Sequence, residues 1–365
     1  MRILSVVDGI GWGGTKEQTY LLARELSKRG FEVHMALAYE YTQMVEKLKG
    51  YPVKFRFFEH HSKNSRLNPA NYYRLWKIIK EGGYDFVIAN SPHSLDFVSV
   101  VYRFLKRKPK LIVVKRSARK PSFVSLKLKY MTADMIVAVS QKVKEVMLKA
   151  GVPEEKLRVI RSGVDLSRFY PDKEEGERLR KELGIPQDWT VFLNVANWNP
   201  PVKGQDRLIQ TFSRLRCEKC LLLLVGYDTD IKAREYAKAY GLEGRLLGVG
   251  YQEETRPFYN ACDFFVLSSY LEGFPNALLQ AMACGKPVIT TLAGGAGEVV
   301  KEGYNGFAVL VGDWEGLLQK MEKALSLSKE DYERLSYNAI LSAKDFSIEK
   351  TVEGYVELFE ELLAC

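Results

Sequence analysis

The sequence predicts an α/β protein made of two doubly wound, Rossmann-like parallel-sheet domains that face each other. Three observations predict it. At 365 residues the chain is longer than one hydrophobic core usually serves, and an apolar content of 46% is enough for two. Short apolar runs alternate with segments of helical period in both halves. A charged, proline-marked stretch at residues 164–188 interrupts that rhythm once, near the middle.

In the first half the runs "RILSVV", "EVHMALA", "VKFRFF", "DFVIAN", "LIVVK" and "MIVAVS" read as strands. Between them, residues 15–29, 41–49, 69–82, 92–107 and 141–150 carry helical period, with a basic stretch standing before "MIVAVS". Such alternation folds as right-handed crossover units around a parallel sheet. After the interruption it restarts with "TVFLNVA", "CLLLLVG", "RLLGVG", "DFFVLSS", "PVITT" and "GFAVLV". Pro171 to Pro186 marks the expected hinge, and from Trp314 onward only helical period remains. The closing helix is expected to cross back, so the domains are drawn as 1–170 with 350–365, and 171–349. A cleft between them, lined by the carboxyl ends of both sheets, is where open α/β sheets bind ligands.

Composition excludes several classes. The first apolar run is too short for a signal peptide, and no run approaches the roughly 18 residues of a membrane span, so a cytoplasmic protein is expected. Five cysteines on a chain this long are not a disulfide framework. Cys217 and Cys220 form a C-x2-C pair without a second ligand pair nearby, and reduced thiols are expected there. Lys and Arg exceed Asp and Glu by nine, and eleven of them fall between Asp96 and Asp134 with no acid among them. Lys106, Arg107, Lys108, Arg116 and Arg119 belong to this segment, interleaved with Phe104, Leu105, Phe123 and Leu128. It reads as a surface for an anionic membrane or an anionic acceptor, the plain alternative being a solvated basic face. Nucleic acid is not expected, because no zinc finger, RNA-binding signature or basic zipper accompanies the charge.

Four motifs sit at predicted strand ends. "DGIGWGGTKEQ" (8–18) opens a helix, and its glycines let backbone amides approach an oxyanion. The acid that a dinucleotide site requires about 20 residues on is late, so a phosphate-facing loop is preferred over an NAD site or a merely tight turn. In "NVANWNPPVKGQD" (194–206), Lys203 and Gly204 precede a helix after the second domain's first strand, and lysine is a compact cation suited to a diphosphate. "DTD" (228–230) resembles a metal-binding triplet, but Asp228 or Asp230 reads as a helix N-cap and no metal is expected. "EGFPNALLQAMACGKPVITT" (272–291) places Glu272 on a turn ahead of a helix N-terminus, where a carboxylate can accept hydrogen bonds from hydroxyls. "GGAGEVV" (294–300) repeats the device one strand later. Three such turns on one cleft suit a phosphorylated polyol.

Across nearly its whole length the sequence resembles the retaining glycosyltransferases of family 4, which have the GT-B fold. The resemblance is carried by "GGTKEQTYLLARELSKRGFEV", "ADMIVAVSQKVKEVMLKAGVPEEKLRVIRSGVDLSRFYP", "EGFPNALLQAMACGKPVITTLAGGAGEVV" and "DFSIEKTVEGYVELFEELL". Among these enzymes it looks nearest to lipopolysaccharide-core and other cell-envelope transferases. It implies transfer from a nucleotide diphosphate sugar, UDP-linked by preference, to a glycan or lipid-linked acceptor, with retention and without metal or other cofactor. By that likeness Glu272 and Lys203 are catalytic, the first holding a donor hydroxyl and the second neutralising the diphosphate. Gly273, Phe274, Pro275 and Asn276 hold the sugar through their backbone, and Gly13 and Gly14 close over the diphosphate. His93, Arg116, Arg119 and Lys106 to Lys108 stand on the acceptor or membrane side, on the inner face of the cytoplasmic membrane.

Three positions depart from the family pattern. Gln280 stands where an acid would hold the ribose, Asn197 where an arginine would bind phosphate, and Arg116 where a histidine would lie near the sugar. A neutral hydrogen bond contributes about 0.5–1.5 kcal/mol where a charged one gives about 1.5–3 kcal/mol, so weaker donor binding is expected unless Arg116 supplies the missing charge. A sugar-nucleotide epimerase and a catalytically weak sugar-nucleotide binder are the rival readings.

Overall fold

Strands that are apolar along their whole length need cover on both faces, which parallel sheets obtain from crossover helices. The computed structural model, which describes residues Met1–Ala364, is built this way twice. The first unit comprises Met1–Ser162 and the segment from Ile348 on; the second is Gly163–Ser347. In chain order the first contains β1 (Arg2–Val6), α1 (Gly14–Lys28), β2 (Glu32–Ala38), α2 (Thr42–Lys47), β3 (Val53–Glu59), α3 (Pro69–Gly82) and β4 (Phe86–Ala89). It continues with α4 (Pro92–Val101), β5 (Lys110–Lys115), α5 (Phe123–Leu128), β6 (Met135–Ala138), α6 (Gln141–Lys149) and β7 (Leu157–Val159). Its sheet has the order β3-β2-β1-β4-β5-β6-β7, with every pair parallel.

The second unit runs α7 (Lys173–Glu182), β8 (Thr190–Val195), α8 (Pro200–Lys203), α9 (Gln205–Ser213), β9 (Cys220–Val225), α10 (Thr229–Tyr240) and β10 (Leu246–Gly248). It continues with α11 (Arg256–Ala261), β11 (Phe264–Leu267), α12 (Asn276–Ala283), β12 (Val288–Thr291), α13 (Ala296–Val299), β13 (Gly306–Val309), α14 (Trp314–Leu325) and α15 (Lys329–Lys344). Its six strands, also all parallel, take the order β10-β9-β8-β11-β12-β13. The last helix, α16 (Ile348–Ala364), packs on the first unit, where Phe359 meets the rings of Phe31 and Phe86 and Arg158 pairs with Glu361 at 2.6 Å.

Several expectations are corrected. The division falls after Ser162 rather than after residue 170, because Val164 donates its amide to the Phe346 carbonyl and Phe169 is buried against the Tyr259 ring. The helix expected over 92–107 stops at Val101 and tightens into a 3-10 turn, Tyr102–Phe104. β7 has only three residues, too few to show a period. Cys217 and Cys220 are joined as a disulfide, their Cα atoms 5.6 Å apart in the short connection from α9 to β9, and are not reduced thiols. Asp228 does occupy the N-cap position of α10, but at φ +66° and without a side-chain capping bond. Thr229 holds that turn instead, donating its hydroxyl to the Gly226 carbonyl at 2.8 Å and accepting from the Gly250 amide at 3.1 Å.

Candidate active site

A doubly wound sheet leaves a crevice at the carboxyl ends of its strands where the strand order reverses. In the second unit that point lies between β8 and β11. The loop after β8 carries Lys203 and the turn after β11 carries Glu272, and the two side chains meet at 2.7 Å, Nζ to Oε1. Ser269, fully buried at the end of β11, donates its hydroxyl to the same oxygen at 2.6 Å. Thr291, at the end of β12, in turn donates to the Ser269 carbonyl at 2.6 Å. One carboxylate oxygen of Glu272 is thus doubly held, and Oε2 is left to accept from something else. Only a tenth of the Glu272 side chain is exposed, which concentrates the pair's electrostatic effect.

Backbone stitches fix the two loops. Ser268 donates its hydroxyl to the Lys203 carbonyl at 2.8 Å, and the Tyr270 amide donates to the Val202 carbonyl at 2.8 Å. Gly204 lies at φ +65°, and a Cβ there would stand 2.2 Å from the Ser268 carbonyl oxygen. Gly294, at φ +55°, makes the same close approach to the Glu272 carbonyl oxygen at 2.3 Å, and the Gly295 amide donates to the Gly273 carbonyl at 3.0 Å. The "GGAGEVV" turn thus backs the Glu272 turn. α12 begins at Asn276, and an α-helix leaves its first amides without intrahelical acceptors, so this end favours anions.

The remaining sequence-predicted donor residues divide by role. Phe274 and Pro275 are buried, and Phe274 packs on Phe346 with ring centroids 5.5 Å apart. Asn197 accepts the Tyr227 amide on Oδ1 at 3.1 Å and so ties the β8 loop to the β9 loop. Gln280 accepts the Tyr259 hydroxyl on Oε1 at 2.8 Å, which leaves its amide nitrogen, a donor, uncommitted. Sequence reasoning missed Ser269, Thr291 and a stacked pair, Tyr227 and Tyr251, with parallel rings 4.4 Å apart. The signal for that pair was available, since "VGY" closes both β9 and β10 at residues 225–227 and 249–251.

In the first unit the order reverses between β1 and β4, and the glycine loop follows β1. Gly9 and Gly11 take left-handed φ values of +62° and +89°, whereas Gly13 is extended and Gly14 starts α1. The loop is pinned by the Gly9 amide donating to Glu59 at 3.0 Å, by Ser91 donating to the Asp8 carboxylate and by Lys16 donating to the Asp8 carbonyl. Burial holds the Lys16 ammonium below its usual range, against the pull of Asp8 and Glu59.

The basic candidates separate. Arg116 follows β5 and packs beside Gln18 and Tyr355, its Nε buried without a partner, and burial lowers its pKa while pushing the Tyr355 phenol up to about 12. Next to it Lys115 is buried, donates to Ser117 at 3.1 Å, and is pushed down to about 8 by desolvation, with Arg119 adding to the effect. His93 lies on α4 against Arg66 at 2.9 Å, while Arg119 and Lys106 to Lys108 are exposed.

Two doubly wound units, one carrying a carboxylate and a lysine at its switch point, define a protein of the GT-B glycosyltransferase class. The family model described as "Glycosyl transferases group 1" matches residues 175–362, and that of "Glycosyltransferase Family 4" matches residues 12–168. The chain belongs to the group 1 glycosyl transferases, as its resemblance implied. An N,N'-diacetylbacillosaminyl-diphospho-undecaprenol alpha-1,3-N-acetylgalactosaminyltransferase of Campylobacter jejuni is 26% identical over 89% of each chain. N-acetyl-alpha-D-glucosaminyl L-malate synthase of Bacillus anthracis is 28% identical over 63% of this chain and 60% of its own length. The lipopolysaccharide core glycosyltransferase LpsE of Rhizobium meliloti is 31% identical over 49% of this chain and 52% of its own. The chain therefore spans little more than half the length of some curated relatives that it matches. Among solved structures, Anabaena HepE in complex with UDP and glucose superposes with a TM-score of 0.85 at 22% identity, over 99% of this chain and 100% of that one.

Proposed function

We propose that this chain is a retaining, metal-independent glycosyltransferase that moves a sugar from a UDP-sugar to a hydroxyl of a glycan or lipid-linked acceptor of the cell envelope, at the cytoplasmic membrane's inner face. The observation that carries the reading is the Lys203–Glu272–Ser269 constellation at the second unit's switch point. Complexes of HepE with UDP and with UDP-glucose support the choice of donor, and the undecaprenol-linked acceptor named for the Campylobacter relative supports that of the acceptor.

In this reading Glu272 Oε2 accepts a hydroxyl of the donor sugar, while Ser269 and Lys203 hold Oε1 so that the carboxylate does not turn. The lysine's other two N–H groups face the diphosphate, as do the amides that open α12. The bond from the anomeric carbon to the diphosphate oxygen breaks as the acceptor oxygen bonds to the same face of that carbon. The acceptor's proton passes to the departing phosphate oxygen. The chain contributes charge stabilisation of the leaving group more than proton transfer. Retaining hydrolases work through two carboxyls about 5 Å apart, and in this reading Glu272 acts without such a partner.

The test is turnover of UDP-sugars, each with an undecaprenyl-type lipid acceptor and with none. Glu272→Ala and Lys203→Ala should each lose at least about 100-fold in kcat/KM while still unfolding cooperatively, above the assay temperature. Near-normal turnover in both would refute the assignment. Isomerised donor formed without acceptor would point to an epimerase.

A further inference from the structure

The glycine loop's unit contains a groove of about 530 Å³ that the site above does not use. It runs between the segment after β3, the outer side of α4 and the end of α5. Its cations are Lys63, Arg66, Arg103 and Lys129, against one carboxylate, Asp96. Asp96 binds Arg66 at 3.0 Å and also pairs with Lys129, and His93 lies 3.7 Å from the same carboxylate. The single acid therefore fixes two cations in place without matching the groove's charge. Arg66 uses one nitrogen for Asp96 and His93, leaving its Nε and second terminal nitrogen open to the groove. Arg103 spends one N–H on the Leu128 carbonyl at 3.3 Å, and Lys63 makes no hydrogen bond to the described residues.

The groove's rim is apolar where a soluble anion would gain nothing from it. Leu67, Leu128 and Val100, all of which line it, are 81%, 48% and 38% exposed. Monomeric proteins rarely leave large apolar side chains clustered around a charged pocket without a partner. Four solvent-accessible cations lining one groove together with exposed aliphatic side chains match an amphiphile, whose anionic head enters while its chains lie against the aliphatic residues.

We propose that this groove is a headgroup pocket for a phosphate-bearing membrane lipid, with Lys63, Arg66, Arg103 and Lys129 as its phosphate ligands. The inference deepens the acceptor side of the function proposed above and rests on it for its use. It concerns residues outside the donor site, and it assigns phosphate recognition to the groove rather than to the exposed run Lys106 to Lys108, which does not line it.

The experiment is sedimentation of the full chain with phosphatidylcholine vesicles, with and without phosphatidic acid, at about 0.15 M salt. Lys63→Gln combined with Arg103→Gln should weaken binding to the acidic vesicles by about 30-fold, from about fivefold per basic residue. Lys106→Gln, Arg107→Gln and Lys108→Gln together remove more charge but should cost less. Dodecyl phosphate should displace the vesicles, and glycerol phosphate or inorganic phosphate at equal concentration should not. The proposal is overturned if the double variant binds like wild type, or if the triple variant loses as much as the double. Equal displacement by the free phosphates would likewise overturn it, making the groove a soluble-anion site. Binding needs no sugar transfer, and UDP-sugar affinity measured on the same variants should be unchanged, so loss of this inference and loss of the proposed activity are read separately.

Discussion

Gly204→Ala tests whether the loop carrying Lys203 is held as described. The residue lies at φ +65°, where a side chain costs about 1–2 kcal/mol, and its Cβ would stand 2.2 Å from the Ser268 carbonyl oxygen and 3.2 Å from the Trp314 ring. Backbone cannot yield as a side-chain tip can, so overpacking adds about 1–3 kcal/mol. The sum, about 2–5 kcal/mol, should lower the melting temperature of the second unit by roughly 5–20 °C. Relief of the clash moves Lys203 off β11, and a displacement near 1 Å at a reacting group costs about 100-fold in rate. Gly241→Ala supplies the control, because Gly241 has a similar φ of +64° and nothing within 4 Å of its Cβ. It should lose only the conformational cost and keep full turnover. Calorimetry of both variants, with UDP-sugar turnover below the transition, decides the matter. Equal melting shifts and equal activities would show that the approach of Gly204 to Ser268 does not constrain the site.

Two further outcomes are expected. Gln280→Glu should lower the donor KM about fivefold, because the Tyr259 hydroxyl can donate to a carboxylate as well as to the amide oxygen and a hydrogen bond to a charged group contributes about 1 kcal/mol more than the neutral one the amide N–H makes; an unchanged or raised KM would show that position 280 does not meet the donor. Lys115→Met should stabilise the chain at pH 7 by about 1–3 kcal/mol, as the buried ammonium's pKa of about 8 lies below its unfolded 10.5. Between those values the unfolded chain binds more protons, so wild-type stability rises with pH relative to the variant and the difference shrinks from about pH 8 towards pH 10; a difference that stays constant in urea melts at pH 7 and pH 9.5 would contradict the burial penalty.

Both sheets were legible because parallel strands buried on both faces leave unbroken apolar runs, and helices between them leave a different period. What such reading cannot see is anything shorter than a period or dependent on partners far along the chain. β7 has three residues. The true end of the first unit hides inside a charged stretch, because Val164 and Phe169 acquire their partners from Phe346 and Tyr259, residues roughly 90 to 180 positions away. Asp228 looked like a cap because aspartate caps helices on average, yet its left-handed backbone turns the carboxylate away and a threonine one residue later takes the hydrogen bonds.

The candidate site divides along the same line. Glu272 and Lys203 were legible because each stands at a strand's carboxyl end ahead of a helix, and ligand crevices form there whatever the fold's detail. Their pairing was not legible, and neither was Ser269, since a serine at the end of "VLSS" is common and acquires meaning only when Lys203, 66 residues earlier, arrives at the same oxygen. The departure at Gln280 changes meaning in the same way. As sequence it is a lost acid. In the fold its oxygen is already committed to Tyr259, so what it has left to offer is an N–H donor, able to bond the lone pairs of a ribose hydroxyl where a carboxylate would have taken the hydroxyl's proton side. The substitution therefore reverses the polarity of a hydrogen bond without deleting it. Gln280→Glu discriminates between a reversed bond and a missing one, since only in the first case does the wild type already hold part of the donor affinity.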